Sequence, residues 1–368
     1  GLVRALLPRR SAAFTLTRQY QSLESRTDGA FGWGWGLSGS DIRIETDVPL
    51  SGREHLGVFE AVDDGARLWL TLPSGERAGF SFTPRIESVG TLAFYRPAWT
   101  ADAAHGWTLD SVDALLQKSG ARYFDVVSGL PYNPLAGNYA GFDYTLTAPD
   151  GTRYSIDATQ GIKQIEQPGG ARLFVSDNGI TADSGATLQF VRDAAGRIAR
   201  VVAPDGTSLV YQYDPAGLLS ALRNLSTGEG FRYAYDAQGR LTAVVRIGQG
   251  GTAIDYGVDG QVTERAILAD LGGAAAFAGA ASNAVASAGS DDLYTFSVRA
   301  SEILGTAGGQ LILRVSTSGG ATPTIQGLTP LSVMSRDGIT TALYGIRAEG
   351  LYRLAVQGDG AYQLQLGV

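Results

Sequence analysis

Cysteine is absent from this chain of 368 residues, and lysine, histidine and methionine are rare. Without cysteine, the chain can form neither a disulfide bond nor a cysteine-ligated zinc site. Lysine occurs only at Lys118 and Lys163, so arginine is the main cation, and the formal net charge is −7. A nucleic-acid partner is not expected from this balance, because binding to phosphates requires a basic surface.

Long hydrophobic runs are also missing from the sequence. No stretch of about 20 apolar residues is present, so we expect no membrane span. The chain starts at Gly1 and its single methionine is Met334, which suggests a piece of a longer protein. Aromatic residues at 9% and as many as 50 glycines indicate a turn-rich globular protein rather than a disordered chain.

A short sequence frame recurs along the second half of the chain. The frame is aromatic-x-(Tyr or Arg)-Asp-x-x-Gly-(Arg or Leu)-(Ile or Leu), and its best copies begin at Phe190, Tyr211 and Tyr233. A fixed period of this kind indicates a repeat architecture. The recurring glycines, about twenty residues apart, are Gly161, Gly179, Gly196, Gly217, Gly239 and Gly260.

Each copy of the frame predicts a β-hairpin. In Asp214-Pro215-Ala216-Gly217, the Asp side chain can bond the backbone, Pro presets φ and Gly accepts a positive φ. A second turn, Pro-Asp-Gly-Thr, occurs at 149–152 and 204–207. Alternation of the two turns predicts an antiparallel meander coiled into a spiral, and the alternative is an ordinary sandwich with accidentally similar turns. The other D-x-x-G turn residues are Asp193, Gly196, Asp236 and Gly239.

The repeat frame and the N-terminal segment resemble the RHS family. The frame is similar to the YD repeats of that family, and residues 17–23 (TRQYQSL) and 28–38 (DGAFGWGWGLS) resemble the segment that opens RHS regions. The resemblance covers roughly residues 10–268. It implies a large β-sheet shell, often around a C-terminal toxin. The chain departs from that pattern, because its few repeats could not close a shell and no toxin-like segment follows them here.

The D-P-x-G-L sequence has a special meaning in toxin-carrying members of that family, where it marks the end of the repeat core near a self-cleavage site. Residues 214–218 of this chain read DPAGL. They lie in the middle of the repeats, however, with further copies at Asp236 and Asp259. We therefore interpret this segment as a turn.

The composition changes at 269–281 (ADLGGAAAFAGAA), where we predict a linker of small residues. Beyond it, residues 282–368 alternate apolar and polar side chains as half-buried antiparallel strands do. Their D-x-Y-x-F…G-x-Y-x-L-x-V…G-x-Y-x-L-x-L pattern resembles the pre-peptidase C-terminal-like domain. That resemblance implies a jelly-roll-like β-sandwich whose core should contain Tyr294, Phe296, Tyr352, Leu354, Tyr362 and Leu364.

The expected fold is therefore all-β and has two parts. Residues 1–268 should form the RHS-like spiral of antiparallel β-hairpins, and residues 1–9 should be an N-terminal arm. The linker at 269–281 then leads to the sandwich at 282–368.

No cofactor site is predicted. The G-x-G-x-x-G pattern at 34–39 lacks the strand and helix of a dinucleotide-binding unit, so we interpret Trp33 and Trp35 as packed tightly against a bent sheet. His55 and His105 lie in polar, loop-like sequence, and no G-x-S-x-G elbow accompanies them. We interpret both histidines as surface residues and predict no enzyme.

Three aspartates, Asp291, Asp292 and Asp359, could supply oxygen ligands to calcium. Calcium takes about six to eight oxygens, and the sequence has no D-x-D-x-D-G loop. Solvated turn carboxylates are therefore the favoured interpretation of these residues. The arginines of the N-terminal arm form either a binding patch or a solvated arm, and they are Arg4, Arg9 and Arg10.

The predicted function is structural. We expect a secreted or cell-surface bacterial protein that assembles with its own copies into a fibre or sheath. Sheet edges at Phe14–Thr17 and Thr252–Tyr256 carry little blocking charge, and the apolar arm 1–8 could dock on another copy. One alternative is an adhesin or glycan-binding fragment of a giant secreted protein, with cell-surface glycans as partners. The other is a partial shell of an RHS toxin-delivery protein.

The turn assignment predicts the effect of a single substitution at Gly239. A β-branched residue at positive φ is strained, so Gly239→Val should lower the free energy of unfolding by roughly 1–3 kcal/mol. Urea unfolding of the variant and the parent chain measures this difference. An unchanged unfolding midpoint would show that Gly239 does not occupy such a turn.

Overall fold

The computed structural model describes residues 3–4, 15–16, 18–20, 29–37, 40–72, 75–102, 106–277, 284–286, 292–306, 308–358 and 361–368. Within these residues the regular secondary structure is nearly all β-strand, and most neighbouring strands are antiparallel, which confirms the all-β prediction. The helical elements there are one turn of α-helix, α1 (Ala300–Leu304), and 3₁₀ helices at Glu54–Leu56 and Ala274–Phe277.

The described chain divides into two compact units. The first consists of the described residues of Gly1–Gln19, Gly29–Phe31 and Trp35–Thr207. The second consists of the described residues of Tyr20–Asp28, Gly32–Gly34 and Ser208–Val368. The repeats are therefore shared between the units, and the C-terminal strands belong to the same unit as the last repeats.

The strands up to Thr207 are short and follow one another closely. They are β1 (Val3–Arg4), β2 (Thr15–Leu16), β3 (Arg18–Tyr20), β4 (Trp35–Leu37), β5 (Arg43–Thr46), β6 (Arg67–Thr71), β7 (Arg77–Phe82), β8 (Arg85–Val89), β9 (Leu92–Arg96), β10 (Trp99–Ala101), β11 (Thr108–Ser111), β12 (Leu116–Ser119), β13 (Arg122–Asp125), β14 (Tyr144–Thr147), β15 (Arg153–Asp157), β16 (Gly161–Glu166), β17 (Arg172–Ser176), β18 (Gly179–Ala182), β19 (Thr187–Arg192) and β20 (Ile198–Val202).

Three antiparallel sheets of the first unit contain most of these strands. Two of them have the orders β10-β7-β6-β5 and β13-β12-β9-β8. In the third, β11 pairs with β14, and each strand from β14 to β19 pairs with the next, as expected for a meander. Aromatic packing forms much of the core: the ring of Phe82 lies 5.1 Å from that of Trp99 and 5.2 Å from that of Tyr123.

The second unit contains the remaining strands. They are β21 (Ser208–Tyr213), β22 (Leu219–Asn224), β23 (Gly230–Tyr235), β24 (Leu241–Arg246), β25 (Gly250–Tyr256), β26 (Val262–Gly273), β27 (Ala284–Ala286), β28 (Asp292–Val298), β29 (Leu311–Thr317), β30 (Thr322–Ile325), β31 (Ser332–Arg336), β32 (Ile339–Ile346), β33 (Gly350–Gln357) and β34 (Tyr362–Gly367).

Strand β26 connects the repeats to the C-terminal strands. Its first part pairs antiparallel with β25, with Val262 opposite Tyr256 and Leu268 opposite Gly251. Its last part pairs parallel with β28, with Ala269 opposite Tyr294. A single strand therefore continues the hydrogen-bonded ladder from the repeats into the C-terminal region.

The C-terminal strands form two layers around one core. One layer has the order β27-β34-β29-β32-β31, and the other pairs β28 with β33 and β33 with β30. Of the six side chains predicted to share this core, Tyr352 packs partly buried against it, and the other five are buried in it, which confirms the prediction. Those five are Tyr294, Phe296, Leu354, Tyr362 and Leu364.

The first residues of the predicted linker belong to regular secondary structure. Residues up to Gly273 extend β26, and Ala274 and Phe277 are buried in the core of the C-terminal layers. Small residues suit this place because the backbone of Gly273 lies beside Ser297 of β28. The domain boundaries at 268 and 282 stay predictions.

The predicted sheet edge at Thr252–Tyr256 is wrong. These residues belong to β25, which is hydrogen-bonded to β24 on one side and to β26 on the other. The sequence argument failed because it ended the sheet at the last recognisable repeat, whereas the twelve residues of β26 continue it.

The predicted N-terminal arm, residues 1–9, stays a prediction. Of its residues the structure describes Val3 and Arg4, which pair with Leu16 and Thr15 of the same chain. The remaining arm residues lie outside the described residues, as do Phe14 and Thr17 of the other predicted sheet edge.

Candidate functional site

The D-x-x-G turns share one hydrogen-bond pattern. At Asp236, the backbone N–H donates to the Arg240 carbonyl at 3.0 Å, and the Gly239 N–H donates to the Asp236 carbonyl at 2.9 Å. The Asp236 side chain accepts from the N–H of Gln238 and of Arg240, both at 2.9 Å. The turns at Asp193 and Asp214 have the same backbone bonds. An aspartate at this position therefore closes the turn through its side chain as well as through its backbone.

The glycine of each turn has a left-handed backbone. The φ values are 81° at Gly196, 87° at Gly217, 79° at Gly239 and 77° at Gly260. Each hairpin also has a β-bulge next to the turn, so that Tyr235 pairs with Leu241 after a register shift. The last copy differs, because Gly257 stands in the place of the aspartate.

Tyrosine side chains join successive hairpins of the second unit. The Tyr235 hydroxyl donates to the Leu219 carbonyl at 2.7 Å, and the Tyr256 hydroxyl donates to the Leu241 carbonyl at 2.8 Å. In both cases the tyrosine that precedes a turn binds the strand that follows the preceding turn. The repeated tyrosine therefore fixes the spacing between hairpins, which the sequence frame alone did not reveal.

Tyr20 enters the same network from a distant part of the chain. Its hydroxyl donates to the Gly239 carbonyl at 3.0 Å and accepts from the Leu241 N–H at 2.9 Å. The RHS-like segment near the N-terminus thus contributes a side chain to a repeat turn. Its separation of 219 residues from Gly239 concealed this role from sequence reasoning.

A groove of about 1220 Å³ opens on the second unit. Strands β21–β23, the turn at 236–239 and Ile247 form one wall, and residues 297–301 with 349–352 form the other. Trp33 also lines it and is 39% exposed, so the prediction that Trp33 packs tightly is wrong. Trp35, in contrast, is buried.

Arg232 of β23 is the unusual side chain of this groove. Its Nη1 atom is buried without a hydrogen-bond partner and lies 3.7 Å from Oδ1 of Asp270. Burial lowers the pKa of Arg232, the Asp270 charge opposes this shift, and the charges of Arg299 and Arg223 add to it. Both of these arginines also line the groove. The groove therefore contains three arginines, and the carboxylates of Asp214, Asp236 and Glu349 line it as well.

The carboxylates near Arg232 already accept hydrogen bonds from backbone N–H groups. Asp270 accepts the Gly272 N–H through Oδ1 and the Gly248 N–H through Oδ2. Among the acidic residues that line the groove, Asp214 accepts the Leu218 N–H and Glu349 accepts the Ala300 N–H. The third, Asp236, accepts the Arg240 N–H and pairs with the Arg240 side chain at 2.7 Å. None of them is within hydrogen-bond distance of Arg232 in the described residues.

Sequence reasoning missed this groove, although one signal was present. Arg232 occupies the strand position that Val210 has in the preceding copy and Ala253 in the following copy. A charge in a position that is apolar in the neighbouring repeats marks a residue with a role beyond packing the sheet.

The predicted calcium ligands are not brought together in the described residues. Asp291 and Asp359 lie outside them, and Asp292 accepts the Tyr362 hydroxyl at 3.0 Å. No group of three or more His, Asp or Glu side chains in the described part of the chain could hold a metal ion. His55 is exposed in the 3₁₀ helix at Glu54–Leu56, and His105 lies outside the described residues.

The N-terminal motifs are described only in part. Arg4 lies in β1, whereas Arg9 and Arg10 fall outside the described residues. Of the G-x-G-x-x-G pattern, Trp35–Leu37 forms the short strand β4 instead of opening a helix.

The fold and these contacts define a class of protein: an all-β chain whose antiparallel repeats run into a layered C-terminal β-structure. Residues 192–229 match the family model described as RHS Repeat, a match that supports an RHS or YD-repeat protein. This stretch contains the turns at Asp193 and Asp214. In the comparison with curated proteins, none matches the chain. The resemblance of the C-terminal part to the pre-peptidase C-terminal-like domain stays a prediction.

RHS repeats are typical of cell-surface or secreted proteins. Among the residues described by the structure, no helix has the length and apolar character needed to cross a membrane.

The second turn type predicts a dependence of stability on pH. Hydrogen bonds from Thr207 to the Asp205 carboxylate, including one of 2.8 Å from the backbone, lower the pKa of Asp205. A lowered pKa in the folded state stabilises the protein above the unfolded pKa of about 4, and this contribution is lost as the pH falls. The melting temperature of Asp205→Asn should therefore lie below that of the parent chain at pH 7, and the gap should narrow by about pH 3.

Asp110→Asn is the control, because Asp110 is exposed and accepts no hydrogen bond among the described residues. It removes the same charge without removing a turn contact. A gap between Asp205→Asn and the parent chain that stays constant from neutral to acid pH would contradict the assignment.

Proposed function

We propose that this chain is a non-enzymatic structural module of a bacterial secreted or cell-surface protein, and that it associates with its own copies through an open sheet edge. The observation that carries the proposal is the edge strand β31. Two features of the second unit support it, namely the continuity between the repeats and the C-terminal layers and the character of this edge.

This continuity suits a structural role because it prevents the last repeats and the C-terminal layers from moving independently. Besides the shared strand β26, Arg353 of β33 pairs with Asp255 of β25 at 3.1 Å. Apolar contacts accompany this ion pair: Leu293 and Leu351 of the C-terminal layers pack against a buried cluster formed by the last repeats. That cluster consists of Ala243, Val245, Ala253 and Leu268.

Strand β31 is the edge that suits association. It pairs with β32, and no described strand lies on its other side. All five of its residues are exposed, including Val333 at 52% and Met334 at 67%. An edge of this kind presents unpaired backbone groups and apolar side chains to other chains.

Two other edge strands of the described chain are protected by charge. Strand β5 carries Arg43 and Glu45, and strand β8 carries Arg85 and Glu87. The single charge of β31, Arg336, is at its end next to Asp337. Charged side chains on an edge oppose pairing with another sheet, so β31 is a more permissive surface than β5 or β8.

A second copy of β31 is the expected partner. In antiparallel pairing centred on Met334, Ser332 faces Arg336 of the other copy, and no like charges face each other. Such a contact uses the same strand twice and is closed by a two-fold axis. It gives a dimer, and a fibre or sheath requires a second contact elsewhere on the chain.

Sedimentation of the full chain over a range of concentrations tests this proposal. The parent chain should form dimers or larger species as its concentration rises. Met334→Lys should shift the material towards monomer by roughly tenfold or more in dissociation constant, because two lysines would then face each other across the axis.

Leu50→Lys is the matched control, because Leu50 is 76% exposed and lies outside the strands. It adds the same charge without touching the edge, and its association should equal that of the parent chain. A parent chain that stays monomeric, or a Met334→Lys variant that associates as the parent does, would contradict the proposal.

The groove favours a second candidate function, which is a binding module of the adhesin type. Exposed Trp33 and the arginines beside it are the observation behind this candidate.

A further inference from the structure

The β-bulge of three hairpins lies beside a buried aliphatic residue of the hairpin's second strand. This residue stands on the turn side of the register shift, and in the three hairpins it is Ile162, Ile198 and Leu241. Each of them is 4% exposed or less. A bulge interrupts the ladder locally, and a buried N–H group without an acceptor is unfavourable. The backbone at these positions therefore needs acceptors from elsewhere.

The N-terminal part of the chain supplies these acceptors in the first unit. The Ile162 N–H donates to the Ser40 carbonyl at 3.0 Å, and the Ile198 N–H donates to the Ala30 carbonyl at 2.9 Å. Both acceptors are backbone atoms. The two contacts thus join corresponding positions of two hairpins to the same N-terminal part of the sequence.

A side chain supplies the acceptor in the second unit. The Tyr20 hydroxyl accepts the Leu241 N–H at 2.9 Å and donates to the Gly239 carbonyl at 3.0 Å. Burial raises the pKa of Tyr20, so the hydroxyl keeps the proton that it donates. One hydroxyl group therefore satisfies a donor and an acceptor of the same hairpin.

The contact at Ser40 shows a close fit between the two parts of the chain. A Cβ atom at Gly161 would lie 2.8 Å from the Ser40 carbonyl oxygen, so a larger residue there would displace Ser40. The Ser40 carbonyl belongs to a turn in which the Asp41 N–H donates to the Leu37 carbonyl at 3.3 Å. The Asp41 carboxylate accepts the Leu37 N–H at 2.8 Å and closes this turn. The acceptor is therefore held in place by its own local structure.

The hairpin at Gly260 has the same register shift but no such acceptor. Val262 pairs with Tyr256 at the shift and is 40% exposed. No hydrogen bond joins Val262 to the N-terminal part in the described residues. Water can satisfy the backbone of an exposed residue, so this position does not require an acceptor from the protein.

We propose that Tyr20, Ala30 and Ser40 are clamp residues that lock the bulged hairpins in register, and that Tyr20 acts in the second unit through its hydroxyl group. A hairpin that lost its bulge would shift its pairing by one residue and turn buried side chains such as Leu241 outward. The clamp acceptor meets its N–H group only in the bulged register. This role goes beyond the self-association proposed above and does not depend on it.

Hydrogen exchange of the full chain, resolved to single amides, tests the proposal without any substitution. The amides of Ile198 and Leu241 should exchange at least tenfold more slowly than the amide of Val262, once the intrinsic rates are taken into account. A Leu241 amide that exchanges as fast as that of Val262 would show that no clamp protects it.

Tyr20→Phe removes the hydroxyl group and keeps the ring, whose centroid lies 6.3 Å from that of Tyr235. The Leu241 amide should then exchange at least tenfold faster than in the parent chain, because the acceptor that protects it is lost. The Ile198 amide should exchange as in the parent chain, because its acceptor is the Ala30 carbonyl.

Tyr352→Phe is the matched control. It removes the same atom in the same unit, from a hydroxyl group that donates to the Ala348 carbonyl at 2.6 Å. The rate at Leu241 should equal that of the parent chain. The proposal is overturned if Tyr20→Phe leaves the Leu241 rate unchanged. It is equally overturned if Tyr20→Phe accelerates all amides of the second unit by one factor, which would assign Tyr20 a general stabilising role.

Discussion

Strand β26 is the constraint on which the second unit depends. Its backbone is hydrogen-bonded to β25 of the repeats over one part and to β28 of the C-terminal layers over the other. A β-strand can pair with two different strands along its length only if its register with each of them is correct. The repeats and the C-terminal layers therefore fix each other's position. The ion pair between Arg353 and Asp255 lies along this connection and adds to it. The groove forms because the repeats and the C-terminal layers are held side by side in this way.

The turns explain how the repeats reach β26 in register. At each D-x-x-G turn the aspartate accepts backbone N–H groups, the glycine supplies a positive φ and the following bulge shifts the pairing by one residue. Tyrosines such as Tyr235 and Tyr256 then tie each hairpin to its predecessor. In the last copy, Gly257 replaces the aspartate, and the strand after it is the longest of the described chain. The repeat pattern thus weakens at the point where β26 begins its second pairing.

Local features were accessible to sequence reasoning, and contacts between distant residues were not. The all-β class and the shared core of Tyr294 and Phe296 follow from alternation and turn chemistry, which act within a few residues. Nothing local indicates that Tyr20 binds at Gly239, or that the glycine-rich end of β26 pairs with β28. The same limit applies to the groove, because Arg232 meets Arg299 only after two parts of the chain have packed together.

Native-state hydrogen exchange tests the central claim most directly, namely that the repeats and the C-terminal layers of the second unit are one cooperative structure held by β26. Amides of β25 and of β28 should exchange with the same free energy of opening, and both values should fall with denaturant at the same slope. The account would be contradicted if the amides of β28 exchanged through an opening of lower free energy while those of β25 remained protected.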